Sequence, residues 1–289
     1  MENEKNIQFH YKDSRPVFRE CNSSGVLYLE YPLFAETGLV NHGVSTRIGG
    51  VSEGIFRSMN LGISRGDDPG AVMENYRRIG RAIGVSPEKM IFTRQTHTTN
   101  LRIVTDEDAG KGLFRERDYD DIDGLVTNVS GLCLVTFYAD CVPLLFLDPV
   151  KKVIASCHSG WRGTVGRIGQ HTVETMTQAF GCRPEDILAA VGPSICQDCY
   201  EVSEDVIEAF NHSFAPVHYP ELYYQKENGK YQLDLWKANE IILLEAGIRP
   251  EHLSVTNLCT SCNPELLFSH RASKGQRGSL AVFLALKEA

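Results

Sequence analysis

The stretch Val153-Ile154-Ala155-Ser156-Cys157-His158-Ser159-Gly160-Trp161-Arg162-Gly163-Thr164-Val165-Gly166 sets the character of the whole chain. Residues 153–157 are a short apolar, β-branched run that predicts a strand. The glycine-bearing run 159–166 follows, and a helical pattern continues to Phe180. Strand, glycine loop and helix start thus come in order. Similar strand signals occupy residues 89–93, 101–105, 132–138 and 144–147, with late strands expected over 253–257 and 279–286. Asp67-Asp68-Pro69 opens a helix whose Val72, Tyr76, Ile79 and Ile83 share one face and which Gly84 closes. Asp234 caps another, running through Ala238, Ile241, Ile242 and Leu244 to Gly247. Hairpin-like strand pairs mix with strand-to-helix steps, and no repeat or linker divides the chain. The expectation is an α/β (α+β) single domain over residues 25–289, preceded by a polar, aperiodic arm over 1–24.

Composition narrows the function. A chain of 289 residues with 42% hydrophobic content can bury a substantial core. Its start, Met1-Glu2-Asn3-Glu4-Lys5, is too charged for a signal peptide, and there is no apolar run of about eighteen residues to cross a membrane. Nine cysteines, an odd number spread along the chain, suit a reducing compartment better than a disulfide framework. A cytoplasmic, soluble protein is therefore expected. The formal charge of −8 argues against nucleic acid as a partner and for a small substrate. Local phosphate binding through arginines and backbone amides stays open, because such a site depends on local field.

The chemistry-bearing residues are His97, Cys141 and His158, in the runs Gln95-Thr96-His97, Ala139-Asp140-Cys141 and His158-Ser159-Gly160-Trp161-Arg162-Gly163. Two imidazoles and a thiolate make a three-ligand zinc site with one position open for water or substrate. Taken singly, each is as readily a packing or surface residue. Each falls at the predicted end of a strand, however, where ligands converge. Cys141 can alternatively be an attacking thiolate with His158 as its base and Asp140 or another acid as the orienting group, which makes a cysteine hydrolase. A multicopper oxidase is less favoured, since none of the nine histidines lies two residues from another. A non-enzymatic interaction protein is the third class. Two C-x2-C pairs, Cys196/Cys199 and Cys259/Cys262, have the spacing of a four-cysteine structural zinc within each pair. The interval between the pairs exceeds the usual knuckle separation, so thiols merely packed together are the favoured explanation and one zinc site is expected. For phosphate, the loop from Ser159 offers backbone N–H groups at a helix start and Arg162 a bidentate fork. Arg47, in Ser45-Thr46-Arg47-Ile48-Gly49-Gly50, and Asn60, in Asn60-Leu61-Gly62, are further candidates.

At these residues the sequence resembles the YfiH/YlmD-like laccase-domain family, which carries a polyphenol oxidase label and is also described as zinc-dependent purine nucleoside phosphorylases. The resemblance extends through Asp123-Gly124-Leu125-Val126-Thr127, Gly192-Pro193-Ser194-Ile195, Cys199-Tyr200-Glu201-Val202 and Asn263-Pro264-Glu265-Leu266-Leu267-Phe268-Ser269-His270-Arg271. It covers nearly everything after the arm. The cysteine-rich stretch Cys196-Gln197-Asp198-Cys199 departs from the family's core pattern. The resemblance implies layered mixed β-sheets flanked by helices, with His97, Cys141 and His158 on the family's zinc ligands. It also implies phosphorolysis of adenosine, inosine, guanosine and methylthioadenosine, together with adenosine deamination. Purine nucleosides and phosphate are then the partners of a monomer or small homo-oligomer. Arg47 and Arg162 are the expected anion holders, with Ser159 and Asn60 as further contacts and Asp140 and Gln95 as orienting or proton-relaying groups. The His-x-Glu and Pro-Cys-x-x-Cys signatures of cytidine-type deaminases are missing, so deamination would use a different scaffold.

Overall fold

The structure, a computed structural model, describes residues 8–288. Strands β1 (Arg19–Ser23) and β2 (Val26–Glu30), helix α1 (Pro32–Ala35) and strand β3 (Val40–Ser45) come first, and helix α2 (Pro69–Ile83) follows. Then come β4 (Met90–Phe92), β5 (Leu101–Ile103), β6 (Gly124–Thr127), β7 (Cys133–Tyr138), β8 (Val142–Asp148) and β9 (Val153–Ser159). Helices α3 (Trp161–Val165) and α4 (Ile168–Phe180) precede β10 (Leu188–Val191), β11 (Glu201–Val202) and helices α5 (Glu204–Ser213) and α6 (Tyr219–Leu222). Strands β12 (Tyr223–Gln225) and β13 (Tyr231–Leu233), helix α7 (Leu235–Glu245), and strands β14 (Leu253–Val255) and β15 (Leu280–Leu286) complete the chain.

Two six-stranded mixed sheets result, ordered β1-β2-β3-β15-β7-β4 and β14-β10-β8-β9-β6-β5, beside a small β11-β13-β12 sheet. Most pairs are antiparallel, whereas β4 with β7, β5 with β6 and β10 with β14 run parallel. Alternation along the strands explains the layering. On β15, Leu280, Val282 and Leu284 face a core shared with Leu145, Leu147 and Ile154 of the other sheet. Its Ala281, Phe283 and Ala285 instead meet Tyr76 and Ile79 of α2. On β8, Leu144 and Phe146 turn the opposite way, to Val173 and Met176 of α4 and Ile242 of α7. Strands buried on both faces read as continuous apolar runs, and that is why both sequences lack polar alternation. The mixed α/β architecture of layered sheets flanked by helices is therefore as expected.

Several local expectations need correction. The polar stretch 1–24 is not all arm: β1 pairs in register with β2, from Arg19 with Glu30 to Ser23 with Val26, and Phe9 and Val17 are buried. Cross-strand pairing overrides the lack of apolar period there, and residues 1–7 lie outside the described residues. The helix expected to run on to Phe180 is broken in two, because Arg167 adopts a left-handed φ of 59° and forms an ion pair with Glu245. Strands β3 and β10 and helix α5 carried too short or too mixed a signal to be read. Both terminal caps of α2 are as read, with Asp68 accepting from Ala71 N–H and Gly84 at a φ of 81°.

Close approach of β5, β6 and β9 depends on Gly124. A Cβ there would lie 2.4 Å from Leu101 Cδ2 and 2.6 Å from Cys157 Cβ. Gly124→Ala is expected to lower stability by about 1–3 kcal/mol through overpacking. An unchanged urea midpoint would show that the strands have room to part.

Candidate metal centre

The site is assembled on the three connections that the fold brings to one end of the second sheet. His158 lies within β9, opposite Pro143 of β8, and Val142 pairs with Ser159. Cys141 therefore sits one residue beyond the last β8–β9 pair, next to Gly160. The turn that presents it bends at Asp140, whose φ is 87°. Asp140 is held there because one carboxylate oxygen accepts from Thr260 Oγ1 at 2.7 Å and the other from Arg271 N–H at 2.7 Å. His97 comes from the loop between β4 and β5 with a φ of 67°.

A residue without an assigned role organises this convergence. Asp123, fully buried, accepts the backbone N–H groups of Thr96, His97 and Thr98 at 3.0, 3.1 and 3.0 Å, and Thr98 Oγ1 at 3.1 Å. It also accepts from His158 Nδ1 at 2.8 Å. A carboxylate can only accept while ionised, so Nδ1 carries the proton and Nε2 is left as a ligand atom. His97 Nε2 is 3.9 Å from Cys141 Sγ, and the two imidazoles meet edge to face with centroids 4.9 Å apart. The ligand atoms of His97, Cys141 and His158 all lie within 4.8 Å of one another. Gly160 leaves them space, since a Cβ there would be 2.8 Å from His97 Cδ2 and 3.2 Å from Cys141 Sγ.

Electrostatics match the donor set. Burial pushes the Cys141 thiol up, but His158 and His97 pull it down further, to about 6. Burial opposes charge on His158, yet Cys141 and Asp123 raise it to about 9. Burial likewise opposes the Asp123 charge, and its His158 and N–H donors hold it below the usual range. Two imidazoles and a readily formed thiolate, oriented by a buried carboxylate, fit a metal ion.

The trio opens into a cavity of about 640 Å³ also lined by Phe137, Arg65, Arg94, Arg117 and Arg277. Arg94 is paired with Asp120 at 2.8 Å. Arg65, Arg117 and Arg277 have no carboxylate partner among the described residues, as no ion pair includes them. Ser279 Oγ accepts from both Arg65 Nε, at 3.0 Å, and Arg277 Nη1, at 3.2 Å, so two like charges converge. Arg277 Nε is buried without a partner, and burial together with Arg65 brings the guanidinium down to about 10. Such a cluster is arranged to receive an anion.

The expected anion holders lie elsewhere. Arg47 donates to the carbonyls of Arg57, at 2.9 and 2.8 Å, and Pro264, at 2.5 Å, and stacks on Phe268, so its fork is engaged away from the cavity. Arg162 is exposed and stacks on Trp161 with its Cζ 4.2 Å from the ring centroid, off the cavity wall. Ser159 is buried between Thr164 Oγ1 and Asn239 Oδ1, each at 2.9 Å. Asn60 is buried as well, accepting from the N–H groups of Gly62 and Ser279 and donating to Asp67. Gln95 does line the cavity, but its amide clamps the Phe137 backbone, accepting from N–H and donating to the carbonyl at 2.7 Å each. Asp140 holds the Cys141 turn with both oxygens engaged, so the acid that orients His158 is Asp123 and not Asp140. Arg65 and Arg277 left one faint sequence signal: each lies two residues from or beside a glycine in a polar run.

A mixed-sheet α/β chain in which two imidazoles and a thiolate converge under a cationic cavity defines a protein with a candidate metal centre. It belongs to the family described as multi-copper polyphenol oxidoreductase laccase, whose model matches residues 41–287. Purine nucleoside phosphorylase YlmD of Bacillus subtilis (strain 168) is 38% identical over 251 residues, 86% of this chain and 88% of that protein. The crystal structure of YlmD from Geobacillus stearothermophilus matches with a TM-score of 0.86 and 34% identity, over 94% of this chain and 99% of that one. Adenosine deaminase RL5, from an unknown prokaryotic organism, is 33% identical over 223 residues, 75% of this chain and 82% of that protein. No helix among the described residues is long and apolar enough to cross a membrane.

Two outcomes check the site. Asp123→Asn should weaken metal retention about 10- to 100-fold in a chelator competition, because it disturbs the His158 tautomer and the His97 loop together; undiminished affinity would remove Asp123 from the site. In metal-free protein Cys141 should be thiolate above a pH of about 6. Its iodoacetamide labelling, followed by peptide mass mapping, should therefore fall as pH drops through that value; a midpoint near the ordinary thiol value would contradict the imidazole contacts.

Proposed function

We propose that this chain is a zinc-dependent purine nucleoside phosphorylase with adenosine deaminase activity. The observation that carries it is the His97, Cys141 and His158 group opening into a cavity in which Arg65, Arg117 and Arg277 form no ion pair among the described residues. The names of YlmD and RL5 support the same two activities. Two nitrogens and one sulfur favour zinc over the hard cations, and a three-residue set leaves a coordination position open. Copper in the multicopper manner is less favoured, since the other clustered donor group among the described residues contains no histidine. The bound metal would supply Lewis-acid polarisation of a phosphate oxygen or of water.

In phosphorolysis a phosphate oxygen bonds to the anomeric carbon while the bond to the purine nitrogen breaks, and its electron pair leaves with the base. Arg65 and Arg277 would hold the phosphate dianion against the ribose, and Arg117, anchored by Thr93 O at 3.0 Å, would add a further positive charge. Phe137 offers a ring on the cavity wall against which a purine can stack. In deamination, water adds at the purine ring and ammonia leaves, with the nucleoside in the same cavity. Adenosine, inosine, guanosine and methylthioadenosine share the purine and ribose parts that these groups would meet. The thiols of all nine cysteines are free, which suits a reducing cytoplasm.

A cysteine hydrolase is the second reading, and Asp123, His158 and Cys141 do lie in the order of a nucleophilic triad. His97 counts against it, because a second imidazole on the thiolate is superfluous to a nucleophile and natural for a metal. Chromatography of adenosine and inosine turnover, with and without phosphate, separates the cases. Free base should appear only with phosphate, and Cys141→Ser should abolish it along with the metal held by His97, Cys141 and His158. Arg277→Ala should raise the KM for phosphate about 10- to 100-fold, the loss of one or two charged hydrogen bonds, with little change in the KM for nucleoside. Phosphate-independent release of base would overturn phosphorolysis.

A further inference from the structure

Four cysteines outside the cavity come together. The sulfur atoms of Cys196, Cys199, Cys259 and Cys262 all lie within 4.8 Å of one another, with Cys199 and Cys262 Sγ 3.5 Å apart. A tetrahedral tetrathiolate with metal–sulfur bonds of about 2.3 Å needs sulfurs roughly 3.8 Å apart, so these four require little adjustment. Cys196 and Cys259 are buried, and Cys199 and Cys262 are half-buried.

The fold removes the objection from sequence spacing. Cys196 and Cys259 are 63 residues apart, as are Cys199 and Cys262. Parallel pairing of β10 with β14 brings both C-x2-C turns out of the same sheet end, and beyond it a further parallel bridge, shifted by one residue, pairs Ser194 with Cys259. Thr260 N–H donates to Ser194 O at 3.1 Å, and Cys196 N–H donates to Cys259 Sγ at 3.3 Å. The two turns are thus equivalent neighbours, each giving one inner and one outer sulfur, as a pair of zinc knuckles does. The four thiols close the junction of two loops. One of those loops, between Val255 and Leu280, contains no strand or helix. A segment of that length in a packed chain calls for a fastening.

We infer that Cys196, Cys199, Cys259 and Cys262 form a second metal site, a structural zinc tetrathiolate that fastens the loop after β10 to the loop after β14. Four protein ligands leave no open position, so the site is closed to substrate. Its place gives it a positioning role. Thr260, between Cys259 and Cys262, holds Asp140 Oδ1, and Arg271 holds Asp140 Oδ2 through its N–H. The Arg271 guanidinium is itself docked on the carbonyls of Cys199 and Glu201, at 3.0 Å each. The cluster therefore backs the turn that presents Cys141, independently of which reaction the cavity carries out.

The test uses the full chain, expressed with zinc and analysed by native mass spectrometry, elemental analysis and zinc X-ray absorption. Wild type should hold two zinc ions per chain. Cys141→Ser should keep one, surrounded by four sulfur neighbours at about 2.3 Å. Cys199→Ser/Cys262→Ser should also keep one, with mixed nitrogen and sulfur neighbours. A Cys141→Ser protein without zinc overturns the inference, as does nitrogen around its remaining ion. So does a denatured, unreduced mass two or four hydrogens below that of the free thiols. If the double variant fails to fold, the Cys141→Ser protein decides alone. Absence of nucleoside turnover would count against the proposed activity and leave this zinc count untouched.

Discussion

The site depends on the buried Asp123 carboxylate. An isolated carboxylate removed from water costs several kcal/mol, and here the cost is offset by five donors from two segments. Three are consecutive backbone N–H groups of the His97 loop, so one side chain shapes that loop and holds His97 in its left-handed conformation. The fifth is His158 Nδ1, and through it the same carboxylate selects the tautomer that leaves Nε2 free. Two of the three residues of the candidate metal centre thus share one anchor. The third, Cys141, is carried by a turn anchored on Asp140, whose oxygens reach Thr260 and Arg271 on the opposite side.

These anchors work because the sheets beneath them are rigid. Strands β8 and β9 are buried along their whole length and packed on both faces, between the other sheet and helices α4 and α7. Their seven paired positions from Val142 with Ser159 to Asp148 with Val153 fix the height at which Cys141 and His158 emerge. Gly160 then keeps the continuing chain from filling the space between the ligand atoms. Ligand geometry is thereby set by strand register, which cannot drift by one residue without turning a buried face outward.

How far the site could be read from sequence followed from how local each signal was. His97, Cys141 and His158 each sat in a polar break beside an apolar run, and the structure brings them together. Arg47 and Asn60 were conspicuous for the same reason, polar residues among glycines, but both are engaged in holding backbone: Arg47 on two carbonyls and Asn60 on two N–H groups. Arg65, Arg117 and Arg277 are not legible in the sequence because their significance is that they face the cavity and form no ion pair among the described residues, a property of space and not of sequence neighbours. Asp123 stood in a recognised motif with no role, since its partners are 25 to 35 residues away.

From its residues alone, the chain determined the strand and helix types of its long periodic segments, the caps of α2 and α7, and the identity of the donor trio, because periodicity, capping and ligand chemistry are carried by a few adjacent side chains. Only the tertiary structure decided which polar residues face the cavity, which acid orients His158, and that two distant C-x2-C pairs meet. Those outcomes rest on sheet order and strand register, and a buried polar group takes its role from whatever the folded chain places within hydrogen-bonding distance of it.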